Sequence, residues 1–325
     1  MQHPDRNRAH RFTALLATCA LLCCAGTARA AYPDQPIKVV VPFAAGGGSD
    51  IVVRLMQKHL QAELPQPLVV INKPGAGGVI GNREVKDAKP DGYTLLSTHQ
   101  GMSVNQAVGM ADFNYMAFEP LAESGTIELV LTVPRQSPYR NLQELIAGAR
   151  RAPDAVSHAT NIGSVVHFAM LALAESASIN LLFVPAGGGG SRIPLMLGNH
   201  VDSALMGVAE VIQQYKAGDI RVLAILAGER WPAMPDVPSS RELGHAFTPL
   251  SVGYWWFAPK GTPAGVQATL SQALERVLKR PEIRDDFVQR GIRPTFVAGD
   301  AFRKQVARDH EAIIALGRKF NVRAN

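Results

Sequence analysis

Hydrophobic positions along this chain alternate between two spacings. Ile37-Lys-Val-Val-Val41 is a short β-branched run. After the glycines that follow it, Val52, Met56, Leu60 and Leu64 recur every fourth position, which places them on one helical face. Residues 68–71 predict the next strand, 75–78 a loop, 78–88 a short helix and 93–96 a third strand. Strand, glycine loop and helix in alternation predict a parallel α/β sheet. Residues 126–133 form a long β-rich run ending at Pro134, and the same rhythm then restarts. It predicts a helix over 141–151, a strand near Val156, a helix over 164–176, a strand over 181–184, then a glycine run, a helix, and strands around Val201 and Arg221. Residues 250–258 are a second long β-rich run, followed by helical segments over 263–279, 281–290 and 300–320.

The two long runs are read as strands crossing between lobes. Residues 32–133 plus 256–325 then form a discontinuous α/β domain 1, and residues 134–255 form α/β domain 2. Two sequential domains on one linker would show a polar stretch rich in Pro, Gly and Ser near mid-chain, and none is there. A length of 325 residues fits two domains.

Residues 1–30 read as a secretory signal peptide. Arg6, Arg8 and Arg11 charge its start, residues 12–26 are its apolar core, and Ala28-Arg29-Ala30 predicts cleavage before Ala31. The apolar run is shorter than the roughly 20 residues of a membrane span. No Leu-small-small-Cys pattern marks Cys19, Cys23 or Cys24 for a lipid anchor. The whole chain has 33 basic and 27 acidic residues; without the leader's four arginines and one aspartate, 29 and 26 remain, a net +3. That balance leaves no electrostatic footprint for nucleic acid. All three cysteines lie in the leader, so a periplasmic protein without thiol chemistry is expected.

Candidate chemistry sits in the glycine loops. Pro42-Phe-Ala-Ala-Gly-Gly-Gly-Ser-Asp50 joins a strand to a helix; Asn72-Lys-Pro-Gly-Ala-Gly-Gly78 does so at the next junction, and Val184-Pro-Ala-Gly-Gly-Gly-Gly190 in domain 2. Ala159-Thr-Asn-Ile-Gly-Ser164 opens another helix. Glycine allows close backbone approach, and amides at a helix N-terminus favour an anion. Several such termini facing one crevice make a carboxylate site, each worth about 0.3–1 kcal/mol. Neither Gly-x4-Gly-Lys-Ser/Thr nor Gly-x-Gly-x-x-Gly occurs, which disfavours nucleotides. Ser49 is read as the N-cap of the first long helix, and Asp50 as satisfying early helix amides. Ser164 and His167 resemble a nucleophile and base, but no Gly-x-Ser-x-Gly elbow or third partner accompanies them. The seven histidines beyond the leader are scattered without ligand spacing, so no metal or cofactor is expected.

In this order, these segments resemble the substrate-binding receptors of tripartite tricarboxylate transporters, the Bug family. The most specific parts are the first two glycine loops, Pro90-Asp-Gly-Tyr-Thr-Leu-Leu96, Met234-Pro-Asp-Val-Pro238, Phe257-Ala-Pro-Lys-Gly-Thr-Pro263 and Arg280-Pro-Glu-Ile-Arg284. The resemblance implies a bilobed type II periplasmic binding protein that is not an enzyme. Its lobes close on a small organic acid or acidic amino acid and present it to large and small permease subunits; a monomer is expected. It places ligand contacts at Phe43, Ala44, Ala45, Gly46, Gly47, Ser49 and Asp50, and at Pro74, Gly75, Ala76 and Gly77. Thr98, Gly163 and Ser164 match further family positions. Ala186 and Gly187 replace an aromatic and a cation common in relatives, and Leu195 replaces an Asp; together these suggest a lost ion pair, with Ala186 still at the ligand. His99 and Gln100 stand at usually small positions and are expected to project into the cleft. The competing readings are a receptor that docks on a membrane sensor and an exported hydrolase acting through Ser164.

Overall fold

The β-branched run Ile37–Val41 forms strand β1, flanked by two parallel partners, β2 (Leu68–Asn72) and β3 (Thr94–Thr98). Helix α1 (Gly48–Leu60) connects β1 to β2, and α2 (Val79–Lys86) connects β2 to β3. In α1 the expected apolar face is the buried one: Val52, Met56 and Leu60 are at most 1% exposed. Each such side chain contributes about 1.5–3 kcal/mol. Beyond β3 the sheet continues through β10 (Val252–Pro259), β4 (Phe118–Ile127) and β11 (Val297–Ala298), in the order β11-β4-β10-β3-β1-β2. These three added strands pair antiparallel.

A second sheet repeats the plan. Strand β6 (Ser157–Thr160) lies between two parallel partners, β7 (Leu182–Pro185) and β8 (Ser203–Gly207). Strands β5 (Leu129–Pro134) and β9 (Ile220–Ile225) add antiparallel, giving β7-β6-β8-β5-β9. The expected parallel sheet therefore holds for three strands on each side, and both sheets are mixed. Helix α3 (Gly101–Ala107) follows β3, and α4 (Leu142–Arg151) precedes β6. Helix α5 (Val165–Ala177) links β6 to β7, and α6 (Gly189–Leu197) links β7 to β8. Helix α7 (Val208–Ala217) follows β8, and α8 (Ala264–Leu278), α9 (Pro281–Gln289) and α10 (Gly299–Lys319) complete the chain.

The computed structural model describes residues 32–186, 189–245 and 251–323. The expected leader and its cleavage site lie outside the described residues, as do Gly187, Gly188 and Leu250. Residues 35–325 group as one compact unit; of the segment ending at Asp34, only 32–34 are described.

The first crossing between sheets is abrupt. β4 belongs to the first sheet, β5 to the second, and Glu128 alone separates them. The chain returns from β9 of the second sheet to the first sheet in the second long run. Its strand β10 pairs with β3 on one side and β4 on the other, so it is an interior strand of the first sheet. Trp255 and Trp256 accordingly pack in the core, at most 1% exposed. Helix α10 serves both halves: Phe302 and Val306 join the core of the first sheet, while Ile313 and Leu316 join that of the second.

Arg293 clasps the crossing point. Its Nε donates to Glu128 Oε1 at 2.8 Å, its Nη1 to Glu229 Oε1 at 2.6 Å, and its guanidinium lies 5.0 Å from the Trp231 ring centroid. Glu128 is 5% exposed, and burial raises its pKa despite the opposing pull of Arg293. Arg293→Ala strands that carboxylate. We expect a stability loss of about 2 kcal/mol by urea unfolding, below the 3–5 of a fully buried pair because Arg293 retains some solvent. A loss under about 0.5 kcal/mol would show that the clasp contributes nothing.

Candidate ligand-binding cleft

Open α/β sheets bind ligands at the carboxyl ends of parallel strands, where strand order reverses. Here the reversals fall between β1 and β3 and between β6 and β8. The segments leaving β1, β3 and β6 meet around a cavity of about 550 Å³. Phe43, Gly77, His99 and Asn105 border it from the first sheet's side; Gly163, Ser164, Val165, Val166 and Arg192 border it from the second's.

Five of the expected residues are thus brought together: Phe43, Gly77, His99, Gly163 and Ser164. Phe43 and His99 stack with centroids 4.4 Å apart and planes 6° from parallel. The Gly101 N–H donates to His99 Nδ1 at 2.9 Å, and desolvation pushes the imidazole down to about 4, so it is neutral at pH 7. Gly77 has a left-handed backbone (φ 62°), and a Cβ there would stand 2.8 Å from Asn105 Oδ1. Only glycine fits that position.

On the opposite wall, Ser164 is the N-cap of α5, its hydroxyl accepting from the His167 N–H at 3.5 Å. The preceding amides, on Val165 and Val166, have no intrahelical acceptor. His167 turns its Nδ1 to the Gly163 N–H at 3.2 Å and sets its ring edge-on to Phe183. Desolvation holds it at about 4, again neutral. The Ser164–His167 pair is therefore a helix cap in this geometry.

The other expected residues lie elsewhere. Ala44, Ala45 and Gly46 are exposed in the loop after β1, and Gly47 is half-buried. The N-cap of α1 is Gly47, which places Ser49 inside the first turn, against expectation. Asp50 accepts from the Gly46 N–H at 2.8 Å, from Arg54 Nε at 2.9 Å and from Asn72 Nδ2 at 3.0 Å. Burial alone would raise its pKa, but these donors together hold it below the usual value. The first glycine loop is therefore braced by a carboxylate of its own. Pro74 and Ala76 are exposed and Gly75 is half-buried; Ala76 takes a left-handed φ of 46°. Thr98 is fully buried, and its Oγ1 has no partner among the described residues.

Gln100 departs from expectation outright. It is 1% exposed, its Oε1 accepts from the Gly253 N–H at 3.0 Å, and its Nε2 donates to Asp309 Oδ2 at 3.3 Å. Both ends of the amide are spent inside the core, so the side chain does not project into the cleft. Ala186 is half-buried against the second sheet's core, its N–H donating to Thr160 O at 2.8 Å, and it does not border the cavity.

Arg192 was not among the expected residues. It is 4% exposed, it borders the cavity, and its Nε and Nη1 have no hydrogen-bond partner among the described residues. Its nearest carboxylate oxygen, Glu210 Oε2, is 3.7 Å from Nη2, too long for a hydrogen bond, and already accepts from the Gly207 N–H at 3.0 Å. Nearby His158 is pushed down to about 3 by desolvation and by the charge of Arg192, so it stays neutral and adds no second positive charge. A sequence signal existed. Arg192 stands in the first turn of α6, where the helix dipole disfavours a cation.

The comparisons with known proteins agree with this architecture. The family model for the tripartite tricarboxylate transporter family receptor matches residues 52–317. Protein BugT of Bordetella pertussis is 33% identical over 288 residues, covering 85% of this chain and 86% of BugT. A TctC solute-binding protein from Polaromonas superposes with a TM-score of 0.78 at 28% identity, covering 89% of this chain and 99% of that one. MatC from Rhodopseudomonas palustris, solved with bound malate, gives 0.69 at 26% identity, covering 87% and 100%. The fold is that of periplasmic binding proteins, and the family is one of solute-binding receptors rather than enzymes. This chain belongs to the TctC family of tripartite tricarboxylate transporter receptors.

Proposed function

We propose that the protein captures a small organic acid as its carboxylate in this cavity. Arg192 and the α5 amides of Val165 and Val166 hold the anion. The observation that carries this reading is Arg192: a buried guanidinium with two unpartnered nitrogens, at the edge of a cavity that also faces a helix N-terminus. An uncompensated buried charge costs several kcal/mol, so a counter-ion from solution is the economical partner. The malate bound to MatC supports a carboxylate as that counter-ion.

Both sheets contribute to the cavity wall, so an anion between them favours the closed arrangement through contacts made only there. The elements of the first sheet, over residues 37–127 and 252–298, and those of the second, over 129–225, act as the closing halves. After export to the periplasm under the N-terminal leader, the closed complex is handed to the large and small membrane subunits of a tripartite permease.

Thermal unfolding against a panel of carboxylates and their uncharged amides tests this. At a hundred times Kd a true ligand stabilises by about 2.7 kcal/mol, which raises Tm by several degrees. We expect at least one carboxylate to do so and its amide to fail. Failure of every carboxylate, or equal stabilisation by the amide, would refute carboxylate capture.

A further inference from the structure

We propose that the captured acid is a monocarboxylate with an uncharged, largely apolar body; this rests on the reading above and narrows it. Among the described residues bordering the cavity, Arg192 carries the only formal charge. A ligand with a second carboxylate would bring one more negative charge than the wall can compensate. A ligand ammonium would meet no carboxylate there, which disfavours amino acids. The one imidazole among the described wall residues, that of His99, and that of His167 beyond Ser164 each present Nδ1 to a backbone N–H, at 2.9 and 3.2 Å, and so take the neutral form.

The N-terminus of α3 meets the cavity at Gly101, whose N–H is taken by His99 Nδ1, and the positive end of α1 is answered as well. At the N-terminus of α1, the carboxylate of Asp50 accepts the Gly46 N–H, with Arg54 and Asn72 fixing its place. Tyr254 sends a buried, unpartnered Oη toward the first residue of that helix, a Cβ on Gly48 standing 3.0 Å from it. That hydroxyl does not border the cavity, and being neutral it balances no charge. Most of the remaining wall is apolar (Val104, Met110, Ile162, Val165, Val166 and Val252), with Asn161 and Ser164 as neutral polar members on the second sheet's side. The one wall carboxamide on the first sheet's side, that of Asn105, donates to Gly77 O at 3.0 Å. A volume of about 550 Å³ takes an aromatic ring or a short alkyl chain attached to the carboxylate.

Isothermal titration of the purified protein at pH 7 with benzoate, hexanoate, adipate and malate decides the matter. We expect benzoate or hexanoate to bind at least ten-fold more tightly than both diacids, because a second carboxylate is desolvated without a cation. Adipate or malate binding as tightly as the monoacids, or more so, overturns the apolar monocarboxylate while leaving carboxylate capture standing. If none of the four binds, the monocarboxylate fails. If a wider carboxylate panel then gives no thermal shift, carboxylate capture fails with it.

Discussion

Arg192→Met is expected to weaken carboxylate binding at least 100-fold while leaving the ligand-free protein as stable as the parent or more so. The two effects have one cause. Without ligand, Arg192 is a buried cation with Nε and Nη1 unpartnered and Glu210 held 3.7 Å from Nη2. Replacing an imperfectly paired buried charge with an apolar side chain of similar length is neutral or stabilising by about 1–4 kcal/mol. With ligand present, the same substitution removes the charged partner of a desolvated carboxylate. A loss of about 2.7 kcal/mol, in the lower part of the roughly 2–5 kcal/mol that truncating one partner of a buried charge pair costs in binding, is a hundred-fold change in Kd. Titration calorimetry and urea unfolding of one variant read both signs. A variant that loses stability and keeps affinity would make Arg192 a structural residue.

The second large effect is a pH dependence seated in the core. Glu123 is 2% exposed and accepts from Trp255 Nε1 at 3.1 Å, Thr295 Oγ1 at 3.1 Å and Gln305 Nε2 at 2.7 Å. Burial outweighs these donors and the nearby Asp309 charge adds to it, so its pKa is raised to about 7. Asp309, also buried, is raised to about 6. An acid whose folded pKa exceeds its unfolded value contributes stability that is complete below the unfolded pKa. That contribution is lost as pH rises through the folded pKa. For Glu123 the window runs from about 4.5 to 7. Glu123→Gln keeps the neutral form at every pH, so it should match the parent near pH 4.5 and exceed it by about 3 kcal/mol at pH 8. His99, His158 and His167 act in the opposite sense, losing stability as pH falls below about 6.5 toward their depressed values near 4, 3 and 4. The parent's own profile therefore mixes both trends, and the difference between parent and variant isolates Glu123. A difference that does not change with pH would show that Glu123 ionises freely in the fold.

Local pattern carried much of the architecture. The spacing of Val52, Met56 and Leu60 marks α1 because one face of that helix is buried against a sheet and the other is wet. The β-rich run ending at Pro134 marks the crossing, since a strand buried on both sides has no alternation to lose. Helix α3 was illegible for a related reason: Gly101, Met102, Ser103, Val104 and Asn105 are all buried, so no polar face sets a period. Helix α7, by contrast, carries a legible pattern. Val208, Val211, Ile212 and Tyr215 follow helical spacing and pack on one core.

The cleft divides along the same line. Glycine loops announce where the backbone turns at strand ends, and the family resemblance is what singles out Gly77 and Gly163 within them. They do not announce which amides remain free. Asp50 occupies the first loop through contacts with Gly46 and Asn72 that only the assembled fold provides. Gln100 is fixed by Gly253 and Asp309, 153 and 209 residues away. No window of neighbouring residues contains that information.

A crystal structure of the protein with the tightest-binding carboxylate tests the central claim most directly. The account predicts one carboxylate group in the cavity, its oxygens within about 3 Å of the Arg192 guanidinium and of the Val165 or Val166 amide nitrogen. A carboxylate bound at the exposed loop of Ala44 to Gly46, with Arg192 still unpartnered, would contradict it.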